Sequence, residues 1–301
     1  IPKRIVFKFY SAADFNARLI EICAATLATI KSWVLVMFNE EVAYYFDGSM
    51  VGLLSCVFRA FQFKELQVRL CLNDTAQHGL FADKIEVVNN EQHAERVWAA
   101  LQKKLSSSSL KQFYFAYLSE SLDAYQHLFN YCIYVFSSHV SIEKDYSHPS
   151  VLAITQWTKK VGREKHRMEA FIRFKKTKDE LFLSLVRPDF NVLPLIQPHF
   201  KRRYQDQRWL IYDEQRKFGL YYDLREIHEV SLEASDVDRN LKNGMSQSFQ
   251  LELDEQEVLY DQLWKDYFKS VNITERQNIK LHVQYLPKRY WRYLNEKLIE
   301  Y

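Results

Sequence analysis

The chain has 301 residues, 48% of them hydrophobic and 15% aromatic, and a formal net charge of +3. It is long enough to bury a sizeable core, as one large domain or as two small ones. It holds only six glycines. Neither a G-x-x-x-x-G-K-S/T loop nor a G-x-G-x-x-G turn occurs, which excludes the two common glycine-rich phosphate-binding loops.

The cysteine spacing argues against a disulfide framework and against a metal site. The four cysteines are far apart in apolar surroundings, without a C-x-x-C pair or a closely spaced triplet. The zinc-deaminase signature, H-x-E with P-C-x-x-C, does not occur either. We therefore expect buried free thiols, no metal or other cofactor, and a location in the reducing cytoplasm. The cysteines are Cys23, Cys56, Cys71 and Cys132.

Residues 1–41 are predicted to be an extension of the domain that follows. Residues 19–36 are mostly apolar, but Glu21 and Lys31 leave an uncharged run far shorter than the ~20 residues of a membrane span. A glutamate within the apolar run also argues against a signal peptide. Two interpretations stay open for residues 1–36: a helical extension, or residues upstream of the natural start, which we favour.

The predicted elements begin at Val42 with a short strand, VAYYF. The turn at residues 47–49 can cap the helix that the apolar spacing of MVGLLSCVFRAF predicts. A second strand is predicted over Gln67–Leu72. The helix through HAERVWAALQKKL is capped by Asn89 or Asn90.

Further helices follow in the N-terminal half. The tetraserine run Ser106–Ser109 is predicted to be an interhelix turn, and the apolar segment after it indicates two buried helices with a joint near Ser119. The spacing over Pro149–Ala170 predicts a helix with four apolar side chains inward and four cations outward. These are Val151, Leu152, Ile154 and Trp157, and Lys159, Lys160, Arg163 and Lys165.

Two hairpins are predicted after this helix. AFIRFKK and ELFLSLVR alternate around residues 177–179, and WLIYDEQRKFGLYYD forms the second hairpin, followed by a strand near EIHEVSL. Residues 233–249 are predicted to be a loop. Two amphipathic helices close the chain, the last of them started by Pro287. A helical N-terminal half, an antiparallel sheet of two hairpins and C-terminal helices give the α+β class, and we treat residues 42–298 as a single domain.

The segment Lys159–Arg225 carries most of the positive charge. It holds 17 Lys and Arg against 9 Asp and Glu, so its local charge is +8 in a chain of +3. A basic, aromatic-rich segment in an otherwise mildly acidic protein suggests a surface for a polyanion, above all nucleic acid. The alternative is a sheet whose solvated face is basic, and charge alone does not decide between them.

Seven side chains of this segment are the candidates for phosphate contacts. Three consecutive cations begin at Lys201, and Arg173 and Lys175 share one face of a predicted strand. His199 fits a phosphate contact better than a metal site, because no second His or Cys has ligand spacing to it. The set is Arg173, Lys175, His199, Lys201, Arg202, Arg203 and Arg208.

Four residues are candidates for catalysis, and each has a structural alternative. His166 can act as a general base beside Glu169, or the two can form a helix-surface pair. Asp189 and Asn191 can activate water in a proline-framed loop, or they can cap the helix that starts near Leu193.

The second hairpin leaves its own alternatives open. Its tyrosines can stack on unpaired bases or can fill a half-buried sheet. Asp213 and Asp223 are expected to pair with Arg216 and Lys217 across the hairpin. The tyrosines are Tyr212, Tyr221 and Tyr222.

Five motifs resemble, in order, a bacterial family described as a "probable DNA metabolism protein", a domain of unknown function. They are YFDGSMVGLLSCVF, KHRMEAFIRF, PDFNVLPLIQPHF, DQRWLIYDEQRKFGLYYD, and TERQN with LPKRYWRYL. The resemblance covers about Val42 to Leu298. It implies a role beside a radical-SAM protein of DNA repair or modification, and in some members a fusion to a uracil-DNA glycosylase-like domain. It implies no catalytic residue.

Three hypotheses follow for function. The first is a cytoplasmic DNA repair or modification accessory protein that binds DNA through the basic segment and acts with a radical-SAM partner. The second is a hydrolytic enzyme on nucleic acid, glycosylase- or nuclease-like. The third is a scaffold whose basic segment binds an acidic protein.

Overall fold

The structure is a computed structural model of the chain. It describes residues 42–73, 84–231 and 283–294, together with separate positions between 254 and 266. The predictions for residues 1–41, for the loop at 233–249 and for the tail after residue 294 lie outside the described residues.

The described part contains two sheets and six α-helices. This mixture confirms the predicted α+β class. The first half consists of β1 (Val42–Phe46), α1 (Met50–Phe63), β2 (Val68–Leu72), β3 (Lys84–Glu86), α2 (Glu91–Lys104), α3 (Ser107–Tyr117) and α4 (Leu122–Ser137). The second half consists of α5 (Pro149–Phe171), β4 (Lys175–Lys176), β5 (Phe182–Val186), α6 (Leu193–Arg203), β6 (Trp209–Asp213), β7 (Phe218–Tyr222), β8 (Ile227–Ser231) and a 3₁₀-helix (Lys288–Tyr293).

The first sheet has three parallel strands, with β1 between β2 and β3. Parallel neighbours need a crossover connection, and α1 supplies it between β1 and β2. Tyr44 and Phe46 of the central strand are fully buried. The N-terminal half is therefore not only helical: the strands β1 and β2 were predicted, whereas the three-residue β3 was not.

The free edge of β2 is covered by one side-chain amide. Gln126 of α4 accepts the backbone N–H of Leu70 at 2.8 Å and donates to the carbonyl of Val68 at 2.8 Å. The amide thus takes the place that a neighbouring strand would occupy.

The helix caps follow the predictions, with one correction. Ser49 caps α1 by accepting the N–H of Gly52 at 2.9 Å, and Asn90 caps α2 by accepting the N–H of His93 at 3.0 Å. The tetraserine run is not a turn, because Ser106 caps α3 and the next three serines form its first turn. Serine is a favoured N-cap, so the run starts a helix.

Helix α5 is shared by two hydrophobic cores. Val151 and Ile154 pack into the first core, with the first sheet and α1–α4, whereas Val161 and Met168 pack into the second, with α6 and β5–β7. Leu152, predicted inward, is 43% exposed because it lies off this stripe.

The second sheet has the order β4-β5-β6-β7-β8 and is mixed. Both predicted hairpins are present, β4 with β5 and β6 with β7. However, β5 and β6 are parallel, since α6 crosses over between them. The prediction of a purely antiparallel sheet was therefore wrong. The first hairpin is also shorter, because α5 continues through Ala170 and Phe171.

The strands place two sets of loops at opposite ends of this sheet. Phe182, Trp209, Tyr222 and Ile227 are in register at one end, whose loops are residues 177–181, 204–208 and 223–226. We name it, with the last turn of α6, the basic end. The other end has the loops 187–192 and 214–217, and we name it the junction end. At ~3.3 Å per residue, the two ends lie about 15 Å apart.

The segment after Pro287 is a six-residue 3₁₀-helix and not the predicted α-helix. Its Tyr290 and Leu294 are buried, and Tyr290 belongs to the second core. The segment thereby packs against α5.

Candidate nucleic-acid interface and junction site

Three consecutive cations close α6 at the basic end. Lys201, Arg202 and Arg203 are exposed and form its last turn, where the helix dipole favours positive charge. Ile196 and Phe200 of the same helix are buried in the second core and hold this turn in place. Consecutive side chains fan out by ~100° each, so the three do not share one direction.

The partners of these cations are neutral oxygens. Lys201 Nζ donates to the carbonyl of Arg225 at 3.0 Å, and Arg203 Nε donates to the hydroxyl of Tyr204 at 3.4 Å. Arg208 Nη2 donates to the carbonyl of Asp179 at 2.6 Å. Within the described residues, neither these cations nor Arg202 forms an ion pair with a carboxylate.

Other cations of the basic segment are neutralised. Lys165 pairs with Glu169, and Lys176 lies 3.6 Å from Glu180. Arg216 is bound by two carboxylates at the junction end. Among the described residues, Lys201, Arg202, Arg203 and Arg208 at the basic end thus keep their charge without a carboxylate partner, as do Arg187 and Lys217 at the junction end.

The other predicted phosphate contacts are less accessible. Arg173 Nη1 donates to the carbonyl of Ala170 at 2.8 Å and so closes the end of α5. Lys175 lies half-buried in β4. His199 is half-buried with its ring against the edge of Phe200, at 5.1 Å between centroids.

The hairpin tyrosines mostly fill the sheet. Tyr212 is 1% exposed and Tyr222 is 3% exposed, and only Tyr221 is half-buried. Two of the three candidates for base stacking are therefore closed to a ligand in this structure.

The candidate catalytic residues divide between two places. His166 is exposed on α5, and Glu169 is paired with Lys165 four positions away, so they do not form the predicted His–Glu pair. Asp189 and Asn191 lie together in the loop before α6 at the junction end. They do not cap that helix, because its N-cap is Val192 without a side-chain hydrogen bond.

Arg216 organises the junction end. Its Nη1 binds Asp213 Oδ2 at 2.8 Å, and its Nη1 and Nη2 bind the carbonyls of Pro188 and Asp189 at 3.1 and 3.2 Å. Its Nε binds Glu120 Oε2 at 2.7 Å, and Asn191 Nδ2 donates to the other oxygen of Glu120 at 3.1 Å. Asp213 and Arg216 therefore pair as predicted, but within the hairpin turn.

A buried glutamate of α5 holds the same loop from its other side. Glu164 is 1% exposed and accepts the N–H of Asp189 at 3.0 Å and the hydroxyl of Tyr290. Arg289 bridges Glu164 at 3.1 Å and Asp189 at 2.7 Å. Burial, followed by the hydrogen bond to Glu164, raises the pKa of Tyr290. Glu164 was missed from the sequence, although it shares the inward stripe of Val161.

An open cleft of about 380 Å³ adjoins this junction. Asp47 and Gly48 directly follow β1, and Leu72 and Asn73 end β2, so the cleft lies at the carboxyl end of the parallel strands. Ligands of open α/β sheets bind in this position. Glu120 also lines the cleft and links it to Arg216.

Asp47 is held in place at the mouth of the cleft. Its Oδ1 accepts the N–H of Ser49 at 2.9 Å and its Oδ2 accepts Asn89 Nδ2 at 2.7 Å. Partial burial opposes ionisation, but these hydrogen bonds lower the pKa of Asp47 below its ordinary value. A Cβ on Gly52 would lie 2.4 Å from Asp47 Oδ1, so the arrangement needs glycine there. The turn at residues 47–49 was predicted only as a cap.

The part of the chain that the structure describes, residues 42–73, 84–231 and 283–294 with separate positions from 254 to 266, lacks two further features. Among these residues, no helix has the length and apolarity needed to cross a membrane. No group of three His, Cys, Asp or Glu side chains in this part of the chain is arranged to hold a metal ion. The absence of a cofactor stays a prediction.

The fold is thus a mixed α+β protein with a basic sheet end and a polar junction between two cores. The model of the DUF4130 family, a domain of unknown function, matches residues 123–296, more than half of the chain. The chain therefore belongs to this family. The match includes the junction residues of the second sheet, and the Asp47 turn precedes it.

Comparisons with individual proteins add little. No curated protein matches the sequence. Among solved structures, the chain is similar to the pGpG-specific phosphodiesterase PggH from Vibrio cholerae, with 10% identity and a TM-score of 0.28 over 77% of this chain and 99% of that one. At this TM-score, the likeness supports no argument about fold or function.

Proposed function

We propose that this chain binds double-stranded DNA through the phosphate backbone, as an accessory protein of DNA repair or modification. The observation that carries the proposal is the set of exposed cations at the basic end, whose described partners are neutral oxygens. Phosphate contacts by Lys and Arg release counterions and supply most of the affinity of sequence-independent binding.

The preference for a duplex rests on what surrounds these cations. The rings next to them are packed inward: Phe200, Trp209 and Tyr222 are each at most 3% exposed. Binding of single strands without sequence preference needs aromatic faces on which bases stack. A surface with cations and buried rings instead suits a regular backbone of phosphates.

The alternatives receive less support from the same contacts. A hydrolytic site built from His166, Glu169 and Asp189 is not favoured, because Glu169 and Asp189 are ion-paired and His166 is exposed on α5. A protein scaffold would use the basic end for an acidic partner. The salt dependence of DNA affinity separates that hypothesis from DNA binding. For DNA, the slope of log affinity against log salt concentration is set by the number of phosphates that the protein contacts.

The experiment compares two charge-matched double variants. Arg202→Gln with Arg203→Gln removes two cations at the basic end, and Arg187→Gln with Lys217→Gln removes two exposed cations at the junction end. Binding to a 20-base-pair duplex is measured by fluorescence anisotropy across salt concentrations. We expect the first variant to weaken binding at every sequence and to reduce the log–log slope by about one to two, because each lost phosphate contact removes ~0.9.

Three results would contradict the proposal. They are no affinity of the wild type for DNA at low salt, equal losses in the two double variants, or tighter binding of the matching single strand. The melting temperatures of both variants should stay near that of the wild type, since exposed charges contribute little to folding. Arg173 is left unchanged because it closes the end of α5.

The protein partners follow from the family resemblance alone. It favours joint action with a radical-SAM protein, and in some settings with a uracil-DNA glycosylase-like protein. Co-purification of the tagged chain with a co-expressed radical-SAM protein from the same genome tests this joint action. A complex that forms at low salt and is lost at high salt would indicate a purely electrostatic association.

A further inference from the structure

A groove on the first core places a serine next to a histidine, and the same histidine next to an aspartate. The groove has a volume of about 820 Å³ and lies between β2, α4 and the start of α5. Its lining includes Asp123, His127 and Ser150, of which Ser150 is only 2% exposed, and none of the residues of the basic end or the junction. It is therefore separate from the surface proposed to bind DNA.

The three side chains are supplied by two helices. Asp123 and His127 lie one turn apart on α4, and Ser150 lies in the first turn of α5. The Ser150 Oγ is 3.3 Å from His127 Nδ1, and His127 Nε2 is 3.7 Å from Asp123 Oδ1. The other oxygen of Asp123 accepts the indole N–H of Trp157 at 2.9 Å. This bond holds the carboxylate beside the imidazole.

The contacts define the role of each imidazole nitrogen. When Nε2–H of His127 points to Asp123, Nδ1 carries the lone pair and faces the Ser150 hydroxyl. A hydroxyl is activated as a nucleophile when a base lies within hydrogen-bonding reach of it and a third group orients that base. The distances between these three groups are often longer when no substrate is bound.

A second histidine borders the serine but is otherwise engaged. His148 Nδ1 accepts the backbone N–H of Ser150 at 3.2 Å, and its ring stacks on Tyr134 at 4.1 Å between centroids. His148 therefore caps α5 and leaves the hydroxyl to His127. The N-terminus of the 23-residue α5 directs its positive dipole end at this position. A helix dipole in this orientation favours negative charge next to Ser150.

We propose that Ser150 is a nucleophile for carboxylic esters bound in this groove, with His127 as its base and Asp123 as a positioning residue. The Ser150 Oγ attacks the ester carbonyl carbon, and its proton passes to His127 Nδ1. The C–O bond to the alcohol breaks, the alcohol leaves with that proton, and an acyl-serine remains. Water then attacks the acyl-serine, gives a proton to His127, and releases the acid while the serine recovers its proton.

Labelling by a fluorophosphonate probe tests the nucleophile in the full chain. The reaction forms a bond from Ser150 Oγ to phosphorus and breaks the P–F bond, so fluoride leaves and the proton goes to His127. We expect one adduct per chain, on the peptide that contains Ser150. His127→Ala should slow labelling by about 100-fold or more, the usual effect of losing a general base. Asp123→Asn should slow it as well.

Matched variants separate reactivity from accessibility and from folding. Ser147→Ala removes an exposed serine near the groove and should label like the wild type, whereas Ser150→Ala should not label at all. His127→Gln keeps a polar side chain of similar size and should also label slowly. Thermal unfolding of each variant confirms that the fold is retained.

The proposal is overturned if Ser150 stays unlabelled while a serine hydrolase in the same tube reacts. It is also overturned if folded His127→Ala or His127→Gln labels as fast as the wild type. Ser150→Ala should leave the salt slope of DNA binding unchanged, so failure of this site and failure of the DNA surface are distinguishable.

Discussion

Glu120 and Arg216 are separated by 96 positions in the chain, yet their Oε2 and Nε atoms are 2.7 Å apart. The pair joins the link between α3 and α4 to the hairpin turn between β6 and β7. The same guanidinium binds Asp213 and the carbonyls of the Pro188–Asp189 loop. One arginine thus holds together three segments that are far apart in sequence.

Removing this arginine should be costly for stability. Asp213 is fully buried, so Arg216→Ala leaves a buried carboxylate without its counter-charge. We expect the free energy of unfolding in urea to fall by about 3–5 kcal/mol. Adding Asp213→Asn should recover part of the loss, and the exposed neighbour Lys217→Ala should change it by no more than about 0.5 kcal/mol. A loss below 1 kcal/mol for Arg216→Ala would show that the turn reorganises.

Two helical glycines should respond to alanine in opposite directions. A Cβ on Gly52 of α1 would lie 2.4 Å from Asp47 Oδ1. A Cβ on Gly162 of α5 would meet only Phe115 Cε1, at 4.0 Å, outside the backbone of its own helix. We expect Gly52→Ala to destabilise by about 1–3 kcal/mol through crowding. Gly162→Ala should stabilise by about 0.5–1 kcal/mol through the lower entropy of the unfolded chain. Thermal and urea unfolding measure the change in stability of each variant. Changes of the same sign in the two variants would contradict the packing around Asp47.

The carboxylate of Asp47 should make stability depend on pH in the acid range. The pKa of Asp47 is lower in the folded state than its ordinary value. The ionised carboxylate therefore stabilises the fold at pH values above the unfolded pKa of about 3.9. This contribution is lost as the pH falls through the folded pKa. The difference between wild type and Asp47→Asn should be constant above about pH 5 and should shrink below it. Urea unfolding from pH 3 to 7 measures the difference, and a gap independent of pH would refute the assignment.

Two cysteines should resist alkylation in the native protein. Cys56 and Cys132 are fully buried, and burial raises the pKa of Cys56 to about 12 and also raises the pKa of Cys132. Since the thiolate is the reactive form, iodoacetamide at pH 8 should leave both peptides unmodified until the chain is unfolded. Peptide mapping by mass spectrometry reports each site, and Cys71, which is half-buried, serves as the internal comparison.

Local signals in the sequence predicted local structure well. The turn at residues 47–49 was predicted to cap the first helix and Asn89 or Asn90 the next, and the structure confirms both caps, at Ser49 and at Asn90. Free thiols at Cys56 and Cys132 are also confirmed, while Cys23 lies outside the described residues. In each case the interaction spans only a few residues or follows from hydrophobicity, so the sequence contains the information.

Contacts between distant segments could not be predicted in the same way. The parallel pairing of β5 and β6 depends on where α6 packs, which hairpin patterns do not encode. Glu164, Asp189 and Arg289 meet only because α5, the loop before α6 and the 3₁₀-helix share one core. Charge counting found the basic segment but could not tell that Arg216 is neutralised and Arg202 is not, because that difference is made by partners elsewhere in the chain.

The amide of Gln126 has a consequence for how this protein behaves at high concentration. An uncovered strand edge recruits matching segments of other molecules, which is a common route to aggregation. Here the Leu70 N–H and the Val68 carbonyl are already satisfied within the same molecule. A neutral glutamine side chain on a helix therefore occupies the two backbone groups with which a strand of another molecule would pair. It protects this part of the edge against self-association without an additional strand.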